Sequence, residues 1–398
     1  MNSQAITQLA QDQPPRRSLA QAFYRDSGVH DRDIDRVFLR SWLYAGHQSE
    51  IPEAGDWFLF EFAEESVIIV RSAADQVNAL VNVCRHRGSR ICVQASGCSK
   101  RLTCPYHGWT YDLEGKLRAA AHMGDDFDKS GIGLKRLHVE LLDGLIFVNF
   151  AEQPAPFAAV RDGLSEALRP YGLEEAKVAH RQSYPIAANW KLAVENYSEC
   201  YHCAPAHPEY SRGHAIAQPG MRDSELGRQV KARAAACGLS DITLNAVYPD
   251  APGFGTDFSY DRYPLLRGHV TGSADGGPAA PLMGEIRDYD GGATDLQIGP
   301  VTFGLMYCDH VVIYRFTPQT PLACVCDISW LVRGDAVEGQ DYARDRLTWL
   351  WDLTTRADKA IIERNQQGVN SRYYEPGPYS RMEDYTWKFL EWYLEAVK

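Results

Sequence analysis

The chain has 398 residues, of which 45% are hydrophobic and 23% charged. That is ordinary for a globular protein and long enough for two domains of roughly 100–200 residues each. A formal net charge of −11 disfavours nucleic acid and anionic membrane surfaces as partners, and no run approaches the roughly 18 apolar residues of a membrane helix. Ten cysteines in a chain of this size do not call for disulfides, and Cys clustered with His points to metal instead. Arg16-Arg17-Ser18 is followed by no long apolar stretch, so export is not expected and the expected location is cytoplasmic.

In chain order, residues 1–40 read as a polar helical segment with apolar positions at Phe23, Ile34, Val37 and Phe38. Residues 41–153 carry short β-rich runs between Gly, Asn and Asp turns: Trp57 to Phe62, Ser66 to Arg71, Val77 to Val83 and Leu141 to Phe150. That spacing predicts a small antiparallel β domain. Residues 154–398 form the second domain. Pro154 to Pro170 reads as linker and helix, Val178 to Pro185 as a strand, and Trp190 to His202 as helical. Residues 218–295, rich in Gly, Pro and Asp, read as irregular. Strands return at Val301 to Tyr307, Val311 to Thr317 and Ala323 to Val332, followed by helices over Tyr342 to Gln367 and Asp384 to Val397. The fold class is α+β, an antiparallel sheet with helices segregated against it.

The first chemical motif is Cys84-Arg85-His86-Arg87-Gly88 and then Cys104-Pro105-Tyr106-His107-Gly108-Trp109, a Cys-x-His and a Cys-x-x-His separated by seventeen residues. A Rieske [2Fe–2S] centre takes this inventory, two thiolates on one iron and two imidazoles on the other. Tetrahedral zinc accepts two Cys and two His as well, but zinc fingers usually pair like residues at each end, whereas each knuckle here mixes the two. Cys92 and Cys98 lie between the knuckles and read as small loop side chains.

The second motif runs from Asn189 to Pro208 and contains Asn196, Glu199, His202 and His207. Glu199 and His202, three apart, share one face of a helix. Pro205 ends that helix, and His207 can fold back towards the same point. Two His with one carboxylate make the facial triad of non-haem Fe(II) oxygenases. The carboxylate must come from elsewhere, and Asp352, Asp358 and Glu363 on the late helix are all open to it.

The Cys-x-His-Arg-Gly and Cys-Pro-Tyr-His-Gly-Trp segments resemble the Rieske domain of ring-hydroxylating oxygenases, and the resemblance extends over nearly the whole chain. It implies an N-terminal Rieske domain followed by a helix-grip catalytic domain. It also implies a cluster on Cys84, His86, Cys104 and His107, with Tyr106 and Trp109 packed over it, and a mononuclear Fe(II) on His202, His207 and Asp358. Asp358 precedes Glu363 by five positions, as the family's distal aspartate precedes a glutamate. Glu199, grouped with Asn196 as catalytic, is implied to link His202 to His107 of a neighbouring chain, and so implies a homotrimer.

The resemblance is closest to bacterial enzymes that N-demethylate betaines such as glycine betaine and stachydrine. Its residues are Ala188 to Leu192, Glu199 to Cys203, Asp309-His310, Asp335 to Gly339 and the tail Asn370 to Ser380. Aromatic hydroxylation and a choline monooxygenase-like reaction are the alternatives. A quaternary ammonium has no N–H to donate, so it calls for aromatic faces, each cation–π contact contributing about 0.5–2 kcal/mol. Phe258, Tyr260, Tyr263, Phe303, Tyr307 and Tyr314 are candidates, with His310 or an Arg for a substrate carboxylate. No Gly-x-Gly-x-x-Gly follows a strand and opens a helix, so electrons are expected from a separate NAD(P)H-dependent reductase carrying flavin and a ferredoxin-type cluster.

Overall fold

Short apolar runs between turn residues become an antiparallel ladder in the segment Leu43–Pro154, one of two units of the computed structural model; the other is Met1–Trp42 with Ala155–Lys398. The structure describes residues 1–124, 126–215, 224–240, 243–245, 257–266 and 268–398. In Leu43–Pro154 the strands are β1 (Leu43–His47), β2 (Asp56–Phe62), β3 (Glu65–Ala73), β4 (Gln76–Val81), β5 (Ser96–Cys98), β6 (Leu102–Thr103), β7 (Thr110–Tyr111), β8 (Leu117–Ala119), β9 (Arg136–Leu142) and β10 (Leu145–Asn149). Among the described residues they form a sheet of order β1-β10-β9-β4-β3-β2-β5 and a smaller one of order β6-β7-β8. Val67, Ile68, Ile69 and Val70 of β3 are all fully buried, so this strand reads as a continuous apolar run rather than an alternating one.

The run Leu141 to Phe150, expected as one strand, is a hairpin instead. Leu142 pairs with Leu145, and the intervening Asp143 and Gly144 have φ of 47° and 83°. Two positive φ values make the type I′ turn whose twist suits a two-residue hairpin. The Asp-Gly pair was the signal, masked by the apolar residues on either side.

In the other unit, the N-terminal segment forms α1 (Ser3–Gln11), α2 (Gln21–Arg25) and α3 (Ser27–Asp33), the last continued by a π-turn. The chain returns as α4 (Ala158–Leu168), β11 (Ala176–Ile186), α5 (Trp190–Tyr197), α6 (Cys203–Ala206), α7 (Pro208–Ser211) and α8 (Glu225–Cys237). Then follow β12 (Leu244–Asn245), β13 (Phe258–Pro264), β14 (Gly292–Ile298), β15 (Thr302–Met306), β16 (Val311–Thr320) and β17 (Ala323–Arg333), and finally α9 (Arg344–Val369) and α10 (Asp384–Val397). Among the described residues the strands make one antiparallel sheet of order β11-β17-β16-β15-β14-β13-β12. The long α9 lies against β11, α5 and α7. The fold is α+β.

Two sequence expectations need correction here. The stretch 218–295 is not irregular throughout: α8, β13 and β14 lie in it, while residues 218–223, 241–242, 246–256 and 267 are outside the described residues. The reason is a buried charge. Arg262 on β13, 1% exposed, pairs with Asp290 at 2.5 Å and donates to Thr294 Oγ1 at 2.9 Å, so a core position carries a residue that reads as loop. The helix expected over Trp190 to His202 ends at Tyr197, where the Ser198 hydroxyl donates to the Val194 carbonyl at 2.7 Å and offers the backbone an alternative to the helical ladder.

Helix α5 is anchored from below by buried polar groups. Asp33 accepts from Trp190 Nε1 at 2.9 Å, from Tyr393 Oη at 2.6 Å and from the Lys191 ammonium, and the Asp33 and Lys191 side chains are both fully buried. One turn on, Glu195 accepts from Tyr24 at 2.9 Å and Tyr379 at 3.0 Å. Burial lifts the Glu195 carboxyl to about 7, against the opposing pull of the two tyrosine hydroxyls. These groups tie α3, α5, the tail and α10 together. Asp33→Ala leaves a buried ammonium without its counter-charge and is expected to destabilise this unit by about 3–5 kcal/mol; denaturant unfolding measures it, and a loss under about 1 kcal/mol contradicts the anchoring role.

Candidate metal centres

The first centre is built from two loops of the same design. In one, the Gly88 N–H donates to the Cys84 carbonyl at 2.9 Å and the Cys84 N–H to the Ser89 carbonyl at 2.8 Å. In the other, the Gly108 N–H donates to the Cys104 carbonyl at 3.0 Å and the Cys104 N–H to the Trp109 carbonyl at 2.8 Å. Gly88 and Gly108 have φ of 79° and 70°, which is where a residue without Cβ is favoured. Each loop thereby turns its Cys into the core and its His outwards. Cys84 and Cys104 are 2% exposed, whereas His86 and His107 are exposed.

The His86 and His107 Nδ1 atoms stand 3.2 Å apart. Two nitrogens each about 2.0–2.1 Å from one tetrahedral ion stand about 3.4 Å apart, so the imidazole pair has the span of two ligands on one metal. Among the described residues, the group of three or more His, Cys, Asp or Glu donors that converges within 4.8 Å is His202, His207 and Asp358. The four loop donors therefore do not meet at one point. That fits a two-iron cluster, with the imidazole pair on one iron and the buried Cys84 and Cys104 on the other.

Aromatic rings close over the loops. Trp109 stacks on His86 at 4.8 Å between centroids and 8° between planes, and Tyr106 covers His107 at 3.8 Å. Tyr111, not singled out in the sequence, places its hydroxyl 3.2 Å from Cys84 Sγ and accepts from the Arg85 N–H at 3.0 Å. Its position two residues after Trp109 was the available signal. Cys92 is buried in the core below, where burial raises its thiol to about 11, and Cys98 sits exposed on β5.

The second centre lies where α5 gives way to α6 and α7. His202 precedes α6 and His207 follows it, so Pro205 sits inside a short helix rather than ending a long one. Glu199 and His202 do not share a helical face, yet they meet: Glu199 Oε1 is 2.5 Å from His202 Nδ1, and its other oxygen accepts from the Tyr201 and His202 N–H groups. Asp358, midway along α9, puts one oxygen 2.8 Å from His207 Nε2 and 3.2 Å from His202 Nε2. Asn196 Nδ2 is 3.5 Å from His202 Nε2. Asp352 is occupied by Tyr184 at 2.6 Å and by Arg356, and Glu363 by the Ala187 N–H at 2.9 Å. Of the three acidic candidates, Asp358 alone converges with the two imidazoles. A disulfide, not expected from the sequence, joins Cys200 and Cys203 on either side of His202.

Electrostatics follow from this geometry. Burial disfavours the His202 imidazolium, but Asp358 and Glu199 outweigh it and raise the group to about 9. Burial likewise opposes the Asp358 carboxylate, and the two imidazoles hold it below its ordinary range. Two histidines and one carboxylate whose donor atoms converge in this way are the kind of set that a mononuclear non-haem iron site with open coordination positions uses.

Strand parity sorts the candidate substrate residues, because alternate side chains face opposite sides of a sheet. Tyr263 is on one face of β13, near His214 at 6.1 Å between ring centroids. Phe258 and Tyr260 are on the other face with Arg262, and Phe258 packs onto Gly163 of α4. Tyr260 and Tyr263 therefore cannot line the same side, a correction to their joint candidacy. Tyr307 donates to or accepts from His214 Nε2 at 2.7 Å and stacks on His310 at 4.6 Å. His310 Nδ1 is 2.7 Å from Asp309, whose other oxygen accepts from the Ala279 and Ala280 N–H groups. Phe303 stacks on Tyr197 at 4.3 Å, with Tyr314 and Phe316 beside it. Tyr197, Tyr210, His214 and Trp351 of this aromatic cluster were missed, since nothing in their local sequence separates them from core.

Family models match two segments: a Rieske [2Fe-2S] domain over residues 41–134 and a ring hydroxylating alpha subunit (catalytic domain) over residues 173–398. A glycine betaine monooxygenase oxygenase subunit of Pseudomonas aeruginosa is 38% identical over 383 residues, covering 96% of this chain and 89% of that protein. One from Chromohalobacter salexigens is 36% identical over 391 residues, 96% of this chain and 86% of that protein. Among solved structures, a quaternary ammonium Rieske monooxygenase in complex with L-carnitine superposes with a TM-score of 0.73 at 20% identity, covering 98% of this chain and 99% of that one. At that identity the likeness shows the fold. No helix among the described residues is long and apolar enough to cross a membrane.

The raised His202 group has a measurable consequence. A metal must displace its proton at any pH below about 9, so divalent metal affinity is expected to rise about tenfold per pH unit from 6.5 towards 9 and then level off. In the metal-free protein the same group stabilises the fold fully below its ordinary 6.5, and that contribution is lost as pH rises through about 9. Anaerobic Fe(II) titration across this range checks the first statement, and an affinity independent of pH contradicts it.

Proposed function

This chain belongs to the Rieske non-haem iron oxygenases, and from that premise we propose that it oxidatively N-demethylates a quaternary ammonium betaine, glycine betaine or stachydrine. In this reading Cys84, His86, Cys104 and His107 hold the [2Fe–2S] cluster, and His202, His207 and Asp358 hold the mononuclear Fe(II). When bound, these groups supply O2 activation with two relayed electrons, so that an N-methyl carbon is hydroxylated and the carbinol separates into formaldehyde and the demethylated amine. The electrons come from a separate NAD(P)H-dependent flavin and ferredoxin-type reductase.

The observation that carries the substrate class is a cluster of aromatic rings next to the proposed Fe(II) donors. Tyr197 adjoins Asn196, which reaches His202 at 3.5 Å, and Tyr197 is packed with Phe303, Tyr314 and Phe316. Ring faces of this kind hold a cation that offers no hydrogen-bond donor. The relatives named for glycine betaine support the same class. His310 is the proposed donor to the substrate carboxylate. Asp309, committed to two backbone amides and to His310 Nδ1, fixes the ring, and in this reading Nε2 is the atom that meets the substrate. Tyr307, stacked on His310, and Tyr263, beside His214, are the further candidate rings.

Glu199 is proposed to carry the link between centres. It already orients His202, and the resemblance pairs its carboxylate with His107 of a neighbouring copy in a homotrimer. A carboxylate between two imidazole N–H groups fixes both rings and gives a short path for electrons.

Two outcomes test this reading. Incubation with a surrogate reductase and a panel of quaternary amines and arenes is expected to release one formaldehyde per betaine consumed. Hydroxylated arene without formaldehyde would instead favour aromatic hydroxylation. Glu199→Gln is expected to keep both metal centres while slowing oxidation of the reduced cluster on the order of 10–100-fold; an unchanged rate in single turnover removes the bridging role.

A further inference from the structure

The two imidazoles of the mononuclear site are treated unequally on their far sides. His202 Nδ1 rests on Glu199 at 2.5 Å. His207, with a side chain only 3% exposed, buries its Nδ1 without a hydrogen-bond partner. The nearest carboxylate to that atom is Glu209, whose Oε1 stands 3.7 Å away and whose side chain is 11% exposed. This is beyond hydrogen-bond distance, yet within an ion-pair contact. Glu209 also lines a surface cleft with Arg212, His269 and Trp349.

We propose that Glu209 is a positioning residue for the mononuclear iron, accepting the Nδ1–H of His207 and so holding that ring's Nε2 towards the point it shares with His202 and Asp358. The proposal rests on the reading of those three residues as ligands. Its physical basis is the tautomer. Asp358 Oδ1 stands 2.8 Å from His207 Nε2, so Nε2 is the nitrogen turned to the shared donor point and Nδ1 is the one left on the side of Glu209. A ring whose Nε2 lone pair is given to a metal must carry its proton on Nδ1. A buried N–H there without an acceptor bears the full desolvation cost, and Glu209 is the acceptor at hand. Metal-bound imidazoles generally donate their other N–H to a carboxylate or carbonyl. Glu199 meets that need for His202, and Glu209 meets it for His207.

The test uses full-length protein with the cluster intact and the mononuclear site emptied, titrated anaerobically with Fe(II), and with Co(II) for its ligand-field absorption. Glu209→Met fills the same space without an acceptor and is expected to weaken Fe(II) binding on the order of 10–100-fold and to alter the Co(II) spectrum. Glu209→Gln, which retains a carbonyl acceptor, is expected to bind nearly as tightly as the unsubstituted protein. Should the Met variant fail to fold, Glu209→Asp withdraws the acceptor by one methylene and is expected to weaken binding in the same direction. Unchanged affinity in Glu209→Met, or in Glu209→Asp where that variant stands in for it, overturns the proposal, as does a Gln variant as weak as the Met one. His207→Ala separates the two levels of the argument. If it binds Fe(II) undiminished, the ligand assignment itself falls; if it loses Fe(II) while Glu209→Met does not, only the role of Glu209 falls.

Discussion

One oxygen of Asp358, held between two imidazole nitrogens at 2.8 and 3.2 Å, is the contact around which the larger unit is arranged. It joins residues 151 positions apart and requires α9 to stand at a defined height beside α6 and α7. That height is not set by the donors themselves. It is set by the packing of α9 on β11 and α5, and α5 is held in turn by Asp33 beneath it. A buried carboxylate and ammonium are poor at adding net stability, but they are directional and costly to separate. They suit a site in which a small displacement would part the donors.

The two centres solve their assembly in different ways. Each loop of the first centre is complete within six residues, since a carbonyl-to-amide bond from Cys to Gly closes it and a positive-φ glycine permits the turn. The pattern of Cys, His and Gly was therefore legible as chemistry without any knowledge of the fold. The second centre depends on long-range docking. His202 and His207 could be picked out as a pair, but from the residues alone Asp352, Asp358 and Glu363 were equal. Tyr184 and Arg356 occupying Asp352, and the Ala187 amide occupying Glu363, decide among them. Family resemblance pointed to Asp358; the packing gives the reason.

The substrate side shows where sequence reading stops. Tyr260 and Tyr263 look equivalent on paper, yet a strand sends them to opposite faces of the sheet. Arg262 between them is paired with Asp290 in the core, and that buried charge is also what disguised β13 and β14 as loop. Tyr197, Tyr210, His214 and Trp351 carry no local signature and acquire meaning only from the rings they touch. Glu209 belongs with them: it stands two residues beyond His207, and only the fold shows the orphaned His207 Nδ1 beside it.

What the amino-acid order determined by itself was the set of local devices: the two Cys and His loops, the paired His202 and His207, the late helices, and the α+β class. These follow from turn chemistry and side-chain periodicity, which act over a few residues. The tertiary structure alone decided which carboxylate meets the two imidazoles, which aromatic rings share a face, that α5 stops at Tyr197, and which nitrogen is left without a partner. Those outcomes depend on strand register and helix docking, where contacts between distant residues compete on nearly equal terms and the whole core, rather than any one segment, sets the result.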